Sequence, residues 1–232
     1  MKILSLESSS PVRSVALCDY EGCGVTVLKS AEAPSERGGR FASLVEEVLT
    51  VAGVNREEVD HLAVGVGPGS AAGIRSTLAF GLGWEVAMGV SLTGVSSHWA
   101  TAMEASRQGR RGVVSVLSPG PIGKVYRSEF KLQDDGVEEI ASLALVAADD
   151  ESLCAALSMP SLLSHVELLK TRLPSIPQAG GDAGIIPLNP TAVGGAILVA
   201  KEVSAAFRDL EPLTLVNAEF VKAPPPRVIP NL

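Results

Sequence analysis

The stretch Ala63–Arg75, AVGVGPGSAAGIR, holds the residues whose types and spacing come nearest to a chemical site. Gly65, Gly67, Gly69 and Gly73 with Pro68 make a tight turn between an apolar, β-branched run at Leu62–Val66 and an apolar segment from Ile74 to Met88. A strand, a glycine-rich turn and a helix in that order leave backbone N–H groups free at the helix start, and small residues let another group come close. Ser70 adds a hydroxyl and Arg75 a cation in the first turn. Such a turn either holds a phosphate or is a close crossing of backbone on backbone, and the residues leave both open. It has neither the Gly-Lys-Ser/Thr ending of a P-loop nor the G-x-G-x-x-G spacing. Pro68 and Ala72 stand where a nucleophile elbow would flank Ser70 with glycines. The other reactive residue types are scattered. His61, His98 and His165 form no H-x-x-x-H or H-E-x-x-H pair, so no metal site built by this chain alone is expected. Cys18, Cys23 and Cys154 match neither a disulfide framework nor a metal-ligand spacing, which points to a reducing compartment.

Composition narrows the class. With 232 residues, 46% hydrophobic and 19% charged, the chain can build one large domain or two lobes that each bury a core. A net charge of −7 argues against an independent nucleic-acid binder, and the tight basic cluster Arg107, Arg110, Arg111 reads as a solvated linker. The opening MKILSLESSS is too short an apolar run for a signal peptide. Leu78–Val95 carries Glu85 and four glycines and reads as protein interior, not as a membrane span. A cytoplasmic location is expected, with no membrane partner.

The elements that must position the turn follow from periodicity. Ile3–Glu7, Arg13–Asp19 and Val25–Ala31 read as three successive strands. A helix at Gly39–Ala52 shows one apolar face through Phe41, Leu44, Val45, Val48, Leu49 and Ala52, and Gly53 stops it. Next come the Leu62–Val66 strand, the turn, a helix over Ile74–Met88, a strand at Leu92–Val95 and a helix capped by Ser96 or Ser97. The order is βββαβαβα. It recurs faintly after the linker: strands at Val113–Leu117, Lys124–Leu132 and Val137–Ala141, a helix at Asp149–Leu157, a strand at Leu162–Ser164 and a helix at Val166–Arg172. A last helix, Ala192–Phe207, follows the start signal Asn189-Pro190-Thr191, and the tail ends in Ala223-Pro224-Pro225-Pro226. Two lobes are expected, 1–106 and 107–232, the second degenerate, with the helix 192–207 a candidate to pack back on the first.

The opening ILSLESSS, the turn VGVGPGSAAGIR, the following G-L-G and then GVSS resemble the TsaB (YeaZ) family, glycoprotease-like partner proteins in tRNA threonylcarbamoyladenosine synthesis. The resemblance is specific over Gly65–Ser97, good over 1–106 and thin beyond. Ala71 and Ala72 replace the family's Phe-Thr, Pro119, Gly120 and Pro121 replace its Asp-Ala-Arg, and Phe220-Val221-Lys222 stands where it tends to have Tyr-Leu-Arg. The resemblance implies an actin-like (ASKHA) α/β fold of two ribonuclease-H-like lobes and a role without chemistry of its own. TsaB-like proteins bind the paralogue TsaD, which transfers the threonylcarbamoyl group to the adenosine beside the anticodon, and TsaE, a small ATPase, joins them. A homodimer in isolation and contact with tRNA only through the complex are implied too. Glu7 stands where an actin-like ATPase keeps the acid that orients metal-bound water, and Asp182 is either a second acid or a loop residue. The candidate nucleotide-binding set is Glu7, Ser8, Gly67, Gly69, Ser70 and Gly73, read as a structural remnant. No cofactor is expected for the chain alone, which leaves ATP or ADP with magnesium at a partner interface. The alternatives are an ATP-dependent kinase or ATPase using Glu7 and the Gly67–Gly73 loop, and a peptidase acting on the paralogue.

The helix Ile74–Met88 is apolar on two sides. Leu78, Leu82 and Val86 share one, and Phe80 and Trp84, four apart, share the other. A sheet covers one side only, so a neighbouring helix or a second chain must cover the other. The candidate interface is Phe41, Leu44, Val45, Val48 and Val51 of the first helix with Ile74, Leu78, Phe80 and Trp84 of the second. Burying a side chain such as Phe80 contributes roughly 1.5–3 kcal/mol.

Overall fold

The computed structural model describes residues 1–22, 24–34, 41–121, 123–134, 136–147, 153, 157, 160–164, 169, 185–202, 206–207 and 210–213. The helices expected at Asp149–Leu157 and Val166–Arg172, Asp182 and its glycines, and the proline-rich tail lie outside this set or nearly so.

Two mixed sheets carry the fold. The first orders its strands β11-β5-β4-β1-β2-β3 and the second β10-β9-β6-β7-β8. In chain order these are β1 Lys2–Glu7, β2 Val12–Glu21, β3 Gly24–Pro34, α1 Phe41–Ala52, β4 His61–Gly67, α2 Ala71–Met88, β5 Ser91–Ser96 and α3 Ser97–Arg107. The second half runs β6 Gly112–Pro119, β7 Lys124–Leu132, β8 Val137–Ala147, β9 Ser161–Leu163, β10 Ile185–Pro187, α4 Ala192–Ala200 and β11 Ala206–Phe207. Setting β11 aside, the two sheets share one strand order and one pattern of directions. β1 and β6 each pair antiparallel with the next strand and parallel with β4 or β9. The repeat that the sequence carries faintly is thus clear in topology, although β9 and β10 have shrunk to three residues each.

Alternation explains which side each strand residue faces. Leu4 and Leu6 of β1 and Val15 and Leu17 of β2 meet α1 and α2, while Ile3, Ala16 and Cys18 face α3 and α4. The last helix of each half crosses to the other. α4 lies on β1 and β2, and α3 reaches β6, β7 and β8. One continuous core therefore joins both sheets through Trp99, Met103, Val116, Phe130, Ala196 and Leu198.

Several expected bounds shift, and three of the shifts have a visible cause. α2 starts at Ala71, three residues early, because the Ser70 side chain accepts the Gly73 N–H and caps it. β8 continues to Ala147, since it keeps pairing with β7 as far as Lys124. The last helix stops at Ala200, where Lys201 closes it and Glu202 adopts φ 51°, so Phe207 pairs as a strand residue with Gly94 instead.

Candidate functional site

The polar turns meet at the C-terminal edge of the first sheet. Glu7 ends β1 and is 2% exposed. Its Oε1 accepts the Ser9 N–H at 2.6 Å and its Oε2 accepts the Ser97 hydroxyl at 2.9 Å. Burial pushes the carboxyl pKa above its ordinary value, against the lowering effect of the hydrogen bonds from Ser9 and Ser97. Gly65 lies against this carboxylate, which a Cβ there would strike. The glycine turn then closes on the serine turn. Ser70 N–H donates to the Ser9 carbonyl at 2.8 Å, and a Cβ on Gly73 would overlap the Ser8 carbonyl. Gly69, at φ +152°, has no room for a side chain beside Ser9, and Gly67 sits at φ +95° before a cis bond to Pro68.

All six candidate nucleotide residues therefore come together, and Glu7, Ser70 and Gly73 are bonded within the two turns or to Ser97. The Ser70 N–H is already bonded to the Ser9 carbonyl and the Gly73 N–H to Ser70 Oγ. Ser8 is fully buried, and its hydroxyl has no partner among the described residues. Of the two readings of the Gly-rich turn, the geometry is that of backbone crossing backbone. Among the described residues no three or more His, Cys, Asp or Glu side chains are grouped to hold a metal ion.

The α1–α2 face is built differently. Five of the candidate interface residues, Phe41, Val45, Val48, Ile74 and Leu78, are at most 7% exposed and belong to the core of the first lobe. They hold the two helices on the sheet and offer a partner little surface; of the five, Val45 alone also lines the groove between the helices. Leu44, Phe80 and Trp84 are half-buried, and Val51 is exposed. Phe80 stacks between Phe41, with centroids 6.1 Å apart, and Trp84, at 5.7 Å. The neighbouring helix thus covers that side of α2 in part. The other side is open: Leu82 is 43% and Val86 86% exposed. Between α1 and α2 runs a groove of about 450 Å³ lined by Ala42, Val45, Phe80, Gly83, Trp84 and Ala87 among others. Its width follows from small residues on the facing sides. Arg13, which the sequence reading passed over, is 8% exposed with its guanidinium 5.5 Å from the Phe41 ring centroid, anchoring the start of α1.

Residues 34–225 match the model of the family described as TsaD: tRNA N6-adenosine threonylcarbamoyltransferase. The chain belongs to this family, in its TsaB (YeaZ) branch. The tRNA threonylcarbamoyladenosine biosynthesis protein TsaB of Escherichia coli (strain K12) is 27% identical over 137 residues, 59% of this chain. That match spans 58% of the relative's own length. YeaZ from Pseudomonas aeruginosa superimposes with a TM-score of 0.71 at 22% identity, over 92% of this chain and 99% of that one. A second structure from Pseudomonas aeruginosa, an uncharacterised protein with similarity to peptidase YeaZ, gives 0.70 at 22%, over 93% and 99%. These likenesses show the fold, and with the repeated strand order they make it the expected actin-like pair of lobes. No helix among the described residues is long and apolar enough to cross a membrane.

Proposed function

We propose that this chain is a non-catalytic subunit in tRNA threonylcarbamoyladenosine synthesis, and that it docks the TsaD paralogue through the α1–α2 face. The observation that carries this is the surface α2 leaves uncovered: Leu82 and Val86 exposed on one side, and an open groove against α1 on the other. A helix with no polar side expects to be covered on every side. Family membership supports the pathway, and the name of the Escherichia coli relative is the same pathway's. In this reading TsaE joins the complex, tRNA is reached only through it, and any ATP or ADP with magnesium sits at a partner interface. Without TsaD the same face pairs with a second copy, so the two assemblies exclude each other. The buried carboxylate of Glu7, with both oxygens engaged, favours a scaffold over a working ATPase.

The test is Val86→Glu with Leu82→Glu in the full chain. Both sites are exposed, so circular dichroism melting should match the parent, while a charge forced into a desolvated contact costs binding about tenfold or more. Light scattering should show a monomer, and titration with the cognate TsaD should show weakened binding. A folded double variant that still dimerises and still binds TsaD as tightly as the parent would move the interface elsewhere.

A further inference from the structure

The first two residues of α3 reach in opposite directions. Ser97 holds Glu7 in the first sheet. His98, 2% exposed, sets Nδ1 2.8 Å from Ser128 Oγ on β7 and Nε2 2.8 Å from Ser118 Oγ on β6, both in the second sheet. A neutral imidazole has one donor and one acceptor, so one serine accepts and the other donates, and both ring nitrogens are used. Burial pushes the imidazole pKa down to about 3, so the ring stays neutral at ordinary pH. Further along α3, Trp99 meets the edge of Phe130 at 5.1 Å, and Ser106 Oγ donates to the Gln133 carbonyl at 2.9 Å.

The second half answers with its own last helix. Ala192 N–H, the first of α4, donates to Ser14 Oγ on β2 at 3.1 Å. Gly194 comes so close to α3 that a Cβ would strike the Ala100 carbonyl, and Thr191 Oγ1 donates to Glu104 Oε2 at 3.1 Å. Each half thus inserts the start of its last helix into serines of the other half's sheet.

We propose that His98 is a latch that fuses the two lobes into one body and fixes the joint on which a two-lobed fold would otherwise hinge. The assignment separates itself from that of an ordinary core histidine by where its loss is felt. α3 covers the inner face of β6–β8, whereas β1 and β2 keep their cover from α4. Cutting the latch loosens the second sheet first.

Native-state hydrogen exchange on the full chain reads this directly. His98→Leu leaves both serine hydroxyls unpaired, and amides of β6–β8 should exchange about 10- to 100-fold faster than in the parent. Amides of β1 and β2 should stay within about threefold. His98→Gln, which keeps a donor and an acceptor, should recover part of the protection. If His98→Leu does not fold, Ser118→Ala with Ser128→Ala should give the same sheet-selective pattern. Equal loss in both sheets, or no loss in either, would overturn the latch.

Discussion

The C-terminal edge of the first sheet and the α1–α2 face are the two places where this chain could act, and they are finished in opposite ways. At the edge, polar groups converge and bond one another: Glu7 bonds Ser9 and Ser97, and Ser70 bonds Ser9, while the buried Ser8 hydroxyl has no partner among the described residues. Only glycines at 69 and 73 let the backbones come that close, and a glycine at 65 leaves room for the Glu7 carboxylate. On the helical face apolar groups converge and are left over, with Val86 86% exposed and a groove open beside Gly83. A site for small-molecule chemistry needs polar groups with bonding capacity to spare, and a docking face needs apolar area to spare. The α1–α2 face has spare capacity of the second kind.

The contrast is most easily broken at Gly73. A Cβ there overlaps the Ser8 carbonyl, which is backbone and cannot rotate away. Gly73→Ala should therefore cost about 3 kcal/mol or more, read as a large drop in melting temperature, or prevent folding. A variant that melted like the parent would mean the two turns are apart in solution and the edge is open to ligands.

The sealing of the edge also has a pH signature. His98, ordinarily near 6.5, is held at about 3 by burial, so below pH 6.5 the unfolded chain takes up a proton that the folded chain refuses. Its contribution to stability falls by about 2 kcal/mol from pH 7 to 5. His61, lowered by burial as well, acts in the same direction. Glu7 acts in the opposite direction. Its folded pKa is raised, so the folded chain binds the proton first and its contribution rises as pH falls through that value. Glu7→Gln removes the opposing slope, so in denaturant titrations stability should fall more steeply with acidification than in the parent, through the range in which folded Glu7 takes up its proton. An unchanged slope would mean that Glu7 is solvated and the edge unsealed.

How much of this was legible in the sequence depends on how local the cause is. β7 matches its expected range residue for residue, and the Thr191 cap acts over three residues, so type and spacing sufficed there, whereas the Ser70 cap was missed and α2 was expected three residues late. The fate of α2 was harder. Its apolar residues lie on all sides, so nothing in the pattern says which of them the sheet takes. Leu78 went inward while Leu82 and Val86 stayed out. The interface reading accordingly chose core residues on both helices. His98 looked isolated because its partners, Ser118 and Ser128, lie 20 and 30 residues away in the other lobe. Such pairings depend on how the two halves dock, which no local pattern encodes.

The subtlest test turns on two glycines of α2 that look alike in the sequence. Gly81 faces the sheet, where a Cβ would lie 2.8 Å from Val64 Cγ1 and 3.2 Å from Leu92 Cδ1. It is small because the core requires it. A Cβ on Gly83 meets nothing within 4 Å, and the residue lines the groove. Glycine inside a helix costs about 0.8–1 kcal/mol relative to alanine, and at Gly83 no packing inside the chain offsets that cost. If the groove receives a partner, the offset comes from the complex. Gly83→Ala should then raise the stability of the isolated chain by about 0.5–1 kcal/mol, or about 1–4 °C in melting temperature, and yet weaken binding to TsaD several-fold. Gly81→Ala should do the reverse: lower stability through overpacking, with affinity per folded molecule unchanged. Thermal melts and TsaD titrations on the two variants separate the cases. A Gly83→Ala chain that is more stable and binds TsaD as well as the parent would leave the groove out of the contact, even if Leu82 and Val86 remained in it.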